Sequence, residues 1–334
     1  MELGNNLSNN SSCNLTHFRY PLFKITYSLV LALGLPLNAV ALWMFVRRLG
    51  LRKSVTVIYM TNLALSDLLF TLSLPLRIAY FSTGSWTLGD VACMIPGTLF
   101  SVNLYSSSFF IMLVSVDRML AVVYPLRSRP VRTTTVAWST CLTVWLVISV
   151  LAVPVALNHR TNNDTNCKVF RCFEHYSEQN WRVGFHILCT VTAVGIVLPF
   201  CIILGCTVMV IRQLWGMSAA SSASCSSSQV SVKMVWLLLS NLLIYAICFI
   251  PFHVVFILYG LYKFKFLQYD FLDIQTVTMC LASTNSCLDP LVYYFSTKSL
   301  PRKSSCDLQK TKEKKTSHSY DTVPLRGVQE LSMT

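Results

Sequence analysis

The sequence predicts an all-α membrane protein, a seven-transmembrane helix bundle with a short amphipathic helix after the seventh span. Seven apolar runs divide the chain, and each has about the 20 residues that cross a bilayer as a helix. Hydrophobic residues make up 54% of the chain and charged residues 12%, whereas soluble domains contain about a quarter charged residues. One such run also fits a buried soluble helix, but seven in succession do not. The predicted spans are residues 22–47, 56–81, 92–123, 134–157, 182–214, 230–261 and 271–296.

Basic residues give the chain a net charge of +13 and follow the first, third and seventh spans. An excess of lysine and arginine marks cytosolic loops. The sequence therefore predicts an extracellular N-terminus, a cytosolic tail and a plasma-membrane location. The basic residues flank the predicted spans and do not cluster on a soluble domain. This distribution argues against nucleic-acid binding. The basic residues include Arg47, Arg48, Arg52, Lys53, Arg127, Arg129, Arg132, Lys298, Arg302 and Lys303.

Residues 1–21 are predicted to be a glycosylated extracellular segment. They contain four Asn-x-Ser/Thr acceptors, and a fifth lies after the fourth span on the same predicted side. The acceptor residues are Asn6, Asn9, Asn10, Asn14 and Asn163. No cleavable signal peptide precedes the first span, so that span is expected to act as its own insertion signal.

Four of the thirteen cysteines lie on the predicted outer side: Cys13, Cys93, Cys167 and Cys172. An even number in an oxidising compartment predicts two disulfide bonds. Four cysteines allow three pairings, and the spacing alone does not choose among them.

Several polar residues lie within the apolar spans, where they are costly unless they have a function. Asn103 and Ser107 are four residues apart, as are Asn285 and Asp289, so each pair shares one helix face. These faces can converge on Asp67 in the second span. Carboxylate, hydroxyl and amide oxygens suit a sodium ion. The alternatives are a hydrated polar network and a protonated carboxylate without metal.

Arg118 ends the third span at its cytosolic end, directly after Asp117. The carboxylate can hold this arginine in a resting state until a partner protein replaces the contact, which makes the pair a candidate activation switch. The alternative is an interfacial arginine whose charged group extends to water.

Four prolines, in the second, fifth, sixth and seventh spans, each remove a backbone hydrogen bond and are expected to bend their helix. The prolines are Pro75, Pro199, Pro251 and Pro290. Phe249, just before Pro251, is a candidate packing switch beneath a ligand, and the alternative is a core side chain above a kink. Asp289, Pro290 and Tyr293 form a corresponding candidate switch in the seventh span.

The cytosolic segments are predicted from composition. Residues 218–229 are rich in serine and alanine and indicate a flexible loop, and residues 307–334 lack apolar periodicity and indicate a disordered tail with phosphate acceptors. Residues 297–306 predict the membrane-surface helix. Cys306 is a candidate palmitoylation site, and an unmodified thiol is the alternative.

Basic residues on the outer side predict an anionic ligand, because a cationic mouth attracts anions. They include Arg77, which lies about three turns after Asp67 and hence below the rim, together with Arg182, Lys263 and Lys265. The alternative is that Arg77 pairs with a carboxylate. The acidic residues available for such a pair are Asp90, Glu174 and Asp273.

The Asp117-Arg118-Met119 and Asp289-Pro290-Leu291-Val292-Tyr293 motifs resemble those of the rhodopsin-like (class A) family of G-protein-coupled receptors. Longer strings at residues 27–39, 68–77 and 289–296 resemble the lysophosphatidic acid receptors of the purinergic-like branch. The resemblance implies a Cys93–Cys172 bridge and leaves Cys13 and Cys167 as a second pair. It also implies a sodium site at the matching polar positions.

In that branch, basic residues on the second, sixth and seventh spans hold a phosphate head group, and an acyl chain packs in an apolar cleft. Arg77 and Lys263 match the first two, Leu272 stands at the third position, and Lys265 is a candidate substitute. The resemblance implies a cleft lined by Ser101, Tyr105, Phe252, His253 and Phe256. An interior histidine with satisfied hydrogen bonds is the alternative for His253.

The sequence therefore predicts a receptor activated by an anionic lysophospholipid and coupled to a heterotrimeric G protein, with arrestin and receptor kinases as further partners. The alternatives are a receptor for a nucleotide or small carboxylate and a secondary transporter. No catalytic motif is visible, so an enzyme is not predicted, and no cofactor is expected apart from the candidate sodium ion.

Overall fold

The computed structural model describes residues 16–50, 54–158, 161–164, 169–172, 178–220 and 225–297. The helices are α1 (Thr16–Met44), α2 (Val55–Thr83), α3 (Gly89–Val123), α4 (Thr134–Asn158), α5 (Glu178–Thr192), α6 (Leu198–Ala220), α7 (Cys225–Cys248), α8 (Ile250–Lys263), α9 (Leu272–Ser283) and α10 (Asn285–Thr297). A π-helical turn, Phe45–Leu49, continues α1, and another, Ala193–Val197, joins α5 to α6.

The helices form seven successive spans, which confirms the predicted fold class. The helices α1 to α4 form the first four, α5 and α6 the fifth, α7 and α8 the sixth, and α9 and α10 the seventh. Among the described residues, six stretches are long and apolar enough to cross a membrane. The seventh span is divided at Thr284, whose hydroxyl donates to the Leu281 carbonyl (2.7 Å) and competes with the helical hydrogen bonds.

The bundle has an apolar outer face, and its interior contains buried polar residues beside a hydrophobic core. On the fourth span, Leu142, Leu146 and Val150 are 60%, 59% and 70% exposed. Asn38 and Asp67, in contrast, are fully buried between spans. This distribution fits a protein whose solvent is lipid, because polar groups there must face other parts of the protein.

Two segment boundaries differ from the sequence predictions. The first helix begins at Thr16, ahead of the predicted start at residue 22, because polar residues at its start lower the hydropathy without interrupting the helix. Residues 218–229 are helical up to Ala220 and again from Cys225, so the predicted loop is wrong over most of its length. That segment contains neither glycine nor proline, and its alanines favour helix.

The internal prolines distort their spans to different degrees. The second helix runs through Pro75 without a break. A π-helical turn precedes Pro199, and the sixth span is interrupted at Phe249, two residues before Pro251. Proline cannot donate a backbone hydrogen bond, so the preceding turn rearranges. The sixth span is therefore interrupted at the position where the sequence predicts a bend.

A β-hairpin lies between the fourth and fifth spans. Strand β1 (Asn162–Asp164) pairs antiparallel with β2 (Val169–Arg171). The next residue, Cys172, forms a disulfide with Cys93 on the third span, with a Cα–Cα distance of 5.9 Å. The implied pairing is therefore confirmed. Asn163 in β1 is exposed, as a glycan acceptor must be.

Several predicted features lie outside the described residues. These are Cys13, Cys167, Cys306, the acceptors Asn6, Asn9, Asn10 and Asn14, the surface helix beyond Thr297, and the cytosolic tail. Their assignments stay predictions from the sequence.

Candidate ligand-binding site and activation switch

Arg77 lies in the second span with 4% of its surface exposed. Its guanidinium donates hydrogen bonds to the Tyr27 hydroxyl (3.1 Å) and the Pro96 carbonyl (2.9 Å). It also lies over the rings of Tyr27 and Phe100, 5.4 Å from each centroid. Aromatic faces and neutral oxygens stabilise a cation without neutralising it.

The acidic residues considered as partners of Arg77 are Asp90, Glu174 and Asp273. The Asp90 carboxylate accepts hydrogen bonds from the backbone N–H of Thr161 (3.0 Å) and from its hydroxyl. Asp273 is exposed in the first turn of α9, and Glu174 lies outside the described residues. Carboxylate pairing therefore stays an alternative to ligand contact.

An aromatic series extends from this buried arginine into the bundle. Phe100, under the guanidinium, packs edge-on against Phe252 with ring centroids 5.6 Å apart. Phe252 stacks on Phe256 at 5.6 Å and meets His253 edge-on at 5.1 Å. The His253 ring lies 5.7 Å from that of Tyr105. One contact series thus contains four of the five residues assigned to the cleft. The series begins at Arg77.

Both ring nitrogens of His253 have partners. Nδ1 lies 2.9 Å from the Phe249 carbonyl, and Nε2 lies 3.3 Å from the Tyr105 hydroxyl. The residue is 2% exposed. This arrangement fits the interior histidine considered from the sequence, so its role as a ligand contact stays a prediction.

The two lysines at the outer end of the sixth span have different surroundings. The Lys263 ammonium lies 5.2 Å from the Tyr259 ring centroid and 5.9 Å from that of Tyr262. Lys265 follows the helix in the left-handed conformation, with φ of 61°. Both lysines line an open pocket at the surface with Tyr262, Leu267 and Gln268. Neither is buried, in contrast to Arg77.

The other predicted ligand residues are less informative. Ser101 is partly buried on the third span, and its hydroxyl donates to the Gly97 carbonyl at 3.4 Å. Arg182 lies in α5, but its side chain is outside the described part of the structure. Their roles stay predictions.

The polar residues in the middle of the bundle form a contact group. The Asn103 amide donates to Asp67 Oδ1 (2.8 Å) and lies 3.3 Å from the Ser107 hydroxyl. Asp289 interacts electrostatically with Asp67, and Asn285 is fully buried. Asp67 Oδ2 and Asp289 Oδ2 are buried and accept no hydrogen bond from the described residues. Two such oxygens provide negative charge that a cation or a proton can satisfy.

Asp117 has three partners near the end of the third span that lies opposite Cys93. One carboxylate oxygen accepts a hydrogen bond from Arg132 Nε (2.8 Å), and the other accepts one from the Thr56 hydroxyl. Arg118 lies 3.7 Å from the second oxygen and donates to the same hydroxyl. The structure therefore holds Arg118 beside Asp117 and adds Arg132 as a competing cation.

Phe249 is fully buried and stacks on Tyr245, with centroids 4.7 Å apart. The Tyr245 hydroxyl donates to the Ile196 carbonyl (3.0 Å), and the Ser108 hydroxyl donates to the Gly195 carbonyl (2.6 Å). A π-helical turn leaves carbonyls without their usual partners, and these hydroxyls satisfy two of them. Phe249 therefore packs against Tyr245 at the place where hydrogen bonds connect the third, fifth and sixth spans.

The remaining switch residues lie in the helices that follow the breaks of their spans. Pro251 is in the first turn of α8. Asp289 and Pro290 are buried in α10. Tyr293 belongs to the same helix, but its side chain is outside the described part of the chain.

Comparison with known proteins assigns the chain to a family. The profile of the 7 transmembrane receptor (rhodopsin family) matches residues 37–293, most of the chain. The chain belongs to the rhodopsin family of seven-transmembrane receptors. The family resemblance inferred from the motifs is therefore confirmed.

Three relatives of this receptor cover most of its length. Lysophosphatidic acid receptor 5 of Mus musculus is 39% identical over 308 residues, covering 87% of this chain and 81% of the relative. Lysophosphatidic acid receptor 6 of Gallus gallus is 36% identical over 285 residues (84% and 91%). Lysophosphatidic acid receptor 4 of Homo sapiens is 35% identical over 306 residues (90% and 81%). All three are receptors and not enzymes.

Sequence reasoning missed several residues at the two ends of the receptor. Tyr27 and Phe100 contact Arg77, and Thr56 and Arg132 bind the Asp117 carboxylate. Phe100 had a usable signal, because it lies three residues before Asn103 and hence near the same helix face. Thr56 had none, since a threonine at the start of a span has many ordinary roles.

Proposed function

We propose that this receptor is activated by an anionic lysophospholipid of the lysophosphatidic acid type and signals through a heterotrimeric G protein. The observation that carries the proposal is the position of Arg77, a buried cation whose guanidinium lies on the first ring of an aromatic series. A phosphate head group needs charge-assisted hydrogen bonds, and a single acyl chain needs apolar surface next to them. The names of the three relatives support this ligand class.

The ligand is proposed to enter a site on the extracellular side of the plasma membrane. The basic residues after the first, third and seventh spans support this orientation. The Cys93–Cys172 disulfide and the exposed Asn163 acceptor lie at the opposite end of the bundle, as an oxidising compartment requires.

A mechanical connection from this site to the cytosol is available along the sixth span. Phe252 and His253 lie in the first turn of α8, directly after the interruption at Phe249. A ligand packed against Phe252 acts on the residues next to this hinge, and it stabilises whichever arrangement it binds more tightly. Arg118, held by exchangeable partners at the far end, is the proposed contact for the G protein. Arrestin and receptor kinases are proposed as further partners of the cytosolic side.

A sodium ion is proposed as an allosteric ligand between Asp67 and Asp289. The proposal is supported by their two buried oxygens, which accept no hydrogen bond from the described residues. Asn103, Ser107 and Asn285 supply the polar surroundings. A proton on one carboxylate is the competing explanation, so the test needs a sodium titration.

The ligand class is tested by nucleotide exchange on a G protein with the purified receptor in lipid nanodiscs. The panel contains oleoyl lysophosphatidic acid, the same lipid without its phosphate, a short-chain analogue, ATP, UDP and succinate. We expect exchange with the first compound only, because the site requires both the phosphate and the long chain. Activation by a nucleotide or by succinate would favour the alternative receptor class, and substrate flux without exchange would favour a transporter.

A further inference from the structure

Arg19 lies at the outer end of the first span and reaches the seventh. Its Nε donates a hydrogen bond to the Thr276 hydroxyl at 3.1 Å. Thr276 is 2% exposed and lies four residues after Leu272, which is one helical turn. Residues 271–297 contain neither lysine nor arginine. Arg19 therefore brings a positive charge from the first span to the seventh span, which has no lysine or arginine of its own.

Arg19 also shares neighbours with the surroundings of the two cations proposed for the phosphate site. Tyr259, which contacts the Lys263 ammonium, interacts electrostatically with both Lys263 and Arg19. Cys280, one turn further into the bundle than Thr276, interacts electrostatically with Arg77. Arg19 therefore contacts the seventh span at Thr276, one turn from Cys280, and is linked through Tyr259 to the surroundings of Lys263.

The neighbouring residue fixes the outer end of the first span from the other side. The Tyr20 hydroxyl lies 3.1 Å from that of Tyr80 and accepts a hydrogen bond from Arg171 at 2.6 Å. The Cys172 backbone N–H reaches the Tyr80 hydroxyl at 3.4 Å. Successive helical residues point about 100° apart. Tyr20 can therefore anchor the helix to the second span and the hairpin while Arg19 reaches the seventh span.

We propose that Arg19 is the third cation of the phosphate site, acting from the first span in place of a basic residue at Leu272. A phosphate monoester carries up to two negative charges and three terminal oxygens, so three cations around it are chemically appropriate. Thr276 is the positioning residue, because its hydroxyl accepts the Arg19 hydrogen bond. The acidic residue near Tyr259 is Asp270. Its carboxylate accepts a hydrogen bond from the Leu272 backbone N–H (3.0 Å). This inference rests on the proposed function.

The experiment separates the charge of Arg19 from its packing. Arg19→Gln keeps a donor for Thr276 without charge, Arg19→Met is a second uncharged variant, and Arg19→Lys keeps the charge. Lys24→Ala is the matched control, because Lys24 is a cation on the same helix with an exposed side chain. Each variant is assayed for nucleotide exchange with oleoyl lysophosphatidic acid and with its methyl phosphodiester, which carries one charge. Surface abundance is measured in parallel.

We expect both uncharged variants to raise the half-maximal concentration of the monoester about 10- to 100-fold, as loss of a charge-assisted contact requires. The effect on the phosphodiester should be smaller, since that head group has less charge to bind. The half-maximal concentrations for Arg19→Lys and Lys24→Ala should stay within about threefold of the parent value. The first variant keeps a positive charge at position 19, and the second leaves Arg19 unchanged.

Arg77→Ala is included so that two failures can be told apart. Loss of potency in Arg77→Ala, with the uncharged Arg19 variants unchanged, would overturn the role of Arg19 and leave the proposed function standing. Equal losses for monoester and phosphodiester, or equal losses in Arg19→Gln and Arg19→Lys, would also overturn it, because they indicate packing. Unchanged potency in every variant, including Arg77→Ala, would reject the phosphate site itself.

Discussion

Arg77 and Arg118 lie at opposite ends of the bundle, and their surroundings differ in kind. Arg77 contacts two aromatic rings, a hydroxyl and a carbonyl. Arg118 lies beside the Asp117 carboxylate and shares the Thr56 hydroxyl with it. The side chain of Arg118 is 24% exposed, whereas Arg77 is almost completely buried.

The difference indicates two uses of the same residue type. Rigid aromatic faces fix the position of a cation and preserve its charge for an anionic ligand. Arg118 can exchange its contacts with the carboxylate and the hydroxyl, because both groups also have other partners. An activation switch requires such an exchange. We therefore propose that recognition depends on the charge of Arg77 and that transmission depends on how readily Arg118 changes partners. The following predictions test this division in order of expected effect.

Arg77→Ala should raise the half-maximal concentration of oleoyl lysophosphatidic acid about 100-fold, because truncation removes charge-assisted contacts to the phosphate. Nucleotide exchange across a concentration series measures the shift. Arg77→Lys, which keeps the charge but loses the planar group, should lie between Ala and the parent. The maximal response at saturating lipid should be retained, and unchanged potency at normal surface abundance would remove Arg77 from the site.

Arg118→Ala should reduce maximal agonist-driven exchange at least about tenfold, within the range of allosteric coupling energies. Binding of labelled lysophosphatidic acid should change far less, because the variant leaves the outer site intact. The two measurements are made on the same membranes. A large loss of lipid affinity with normal exchange would contradict the division between the two arginines.

Asp67→Asn should abolish the effect of sodium on agonist affinity, which we expect to be about fivefold in the parent receptor. The reason is that the variant removes one of the two carboxylates proposed to bind the ion. Affinity is measured with sodium replaced by N-methyl-D-glucamine at constant ionic strength. A parent receptor that shows no sodium effect would reject the ion site and favour a protonated carboxylate.

Arg132→Ala should change basal exchange about twofold, the small effect expected for a partly exposed ion pair. Arg132 competes with Arg118 for Asp117, so its removal should strengthen the resting contact and lower basal activity. Arg129→Ala, an exposed arginine in the same loop, is the control. An increase in basal exchange would show that Arg132 stabilises the resting state instead.

The sequence predicted the spans and most intramembrane polar positions, because a charge within an apolar run is conspicuous and costly. Asp67, Arg77, Asp117, Arg118 and Asp289 were all found in this way. The partners of these residues were harder to predict. Arg19 and Thr276 are separated by 257 positions, and nothing local in either segment indicates the contact. The break at Thr284 was also missed, since one hydroxyl does not alter the hydropathy of its span.

The amino-acid order by itself determined that this chain crosses a bilayer seven times and places charges within those spans, because transfer of each segment into lipid depends on its own composition. Only the tertiary structure decided which spans share these charges. It placed Arg77 on Phe100, Arg132 on Asp117 and Arg19 on Thr276. The reason is physical: a hydrogen bond or cation–π contact depends on distance and angle, and helix packing sets both.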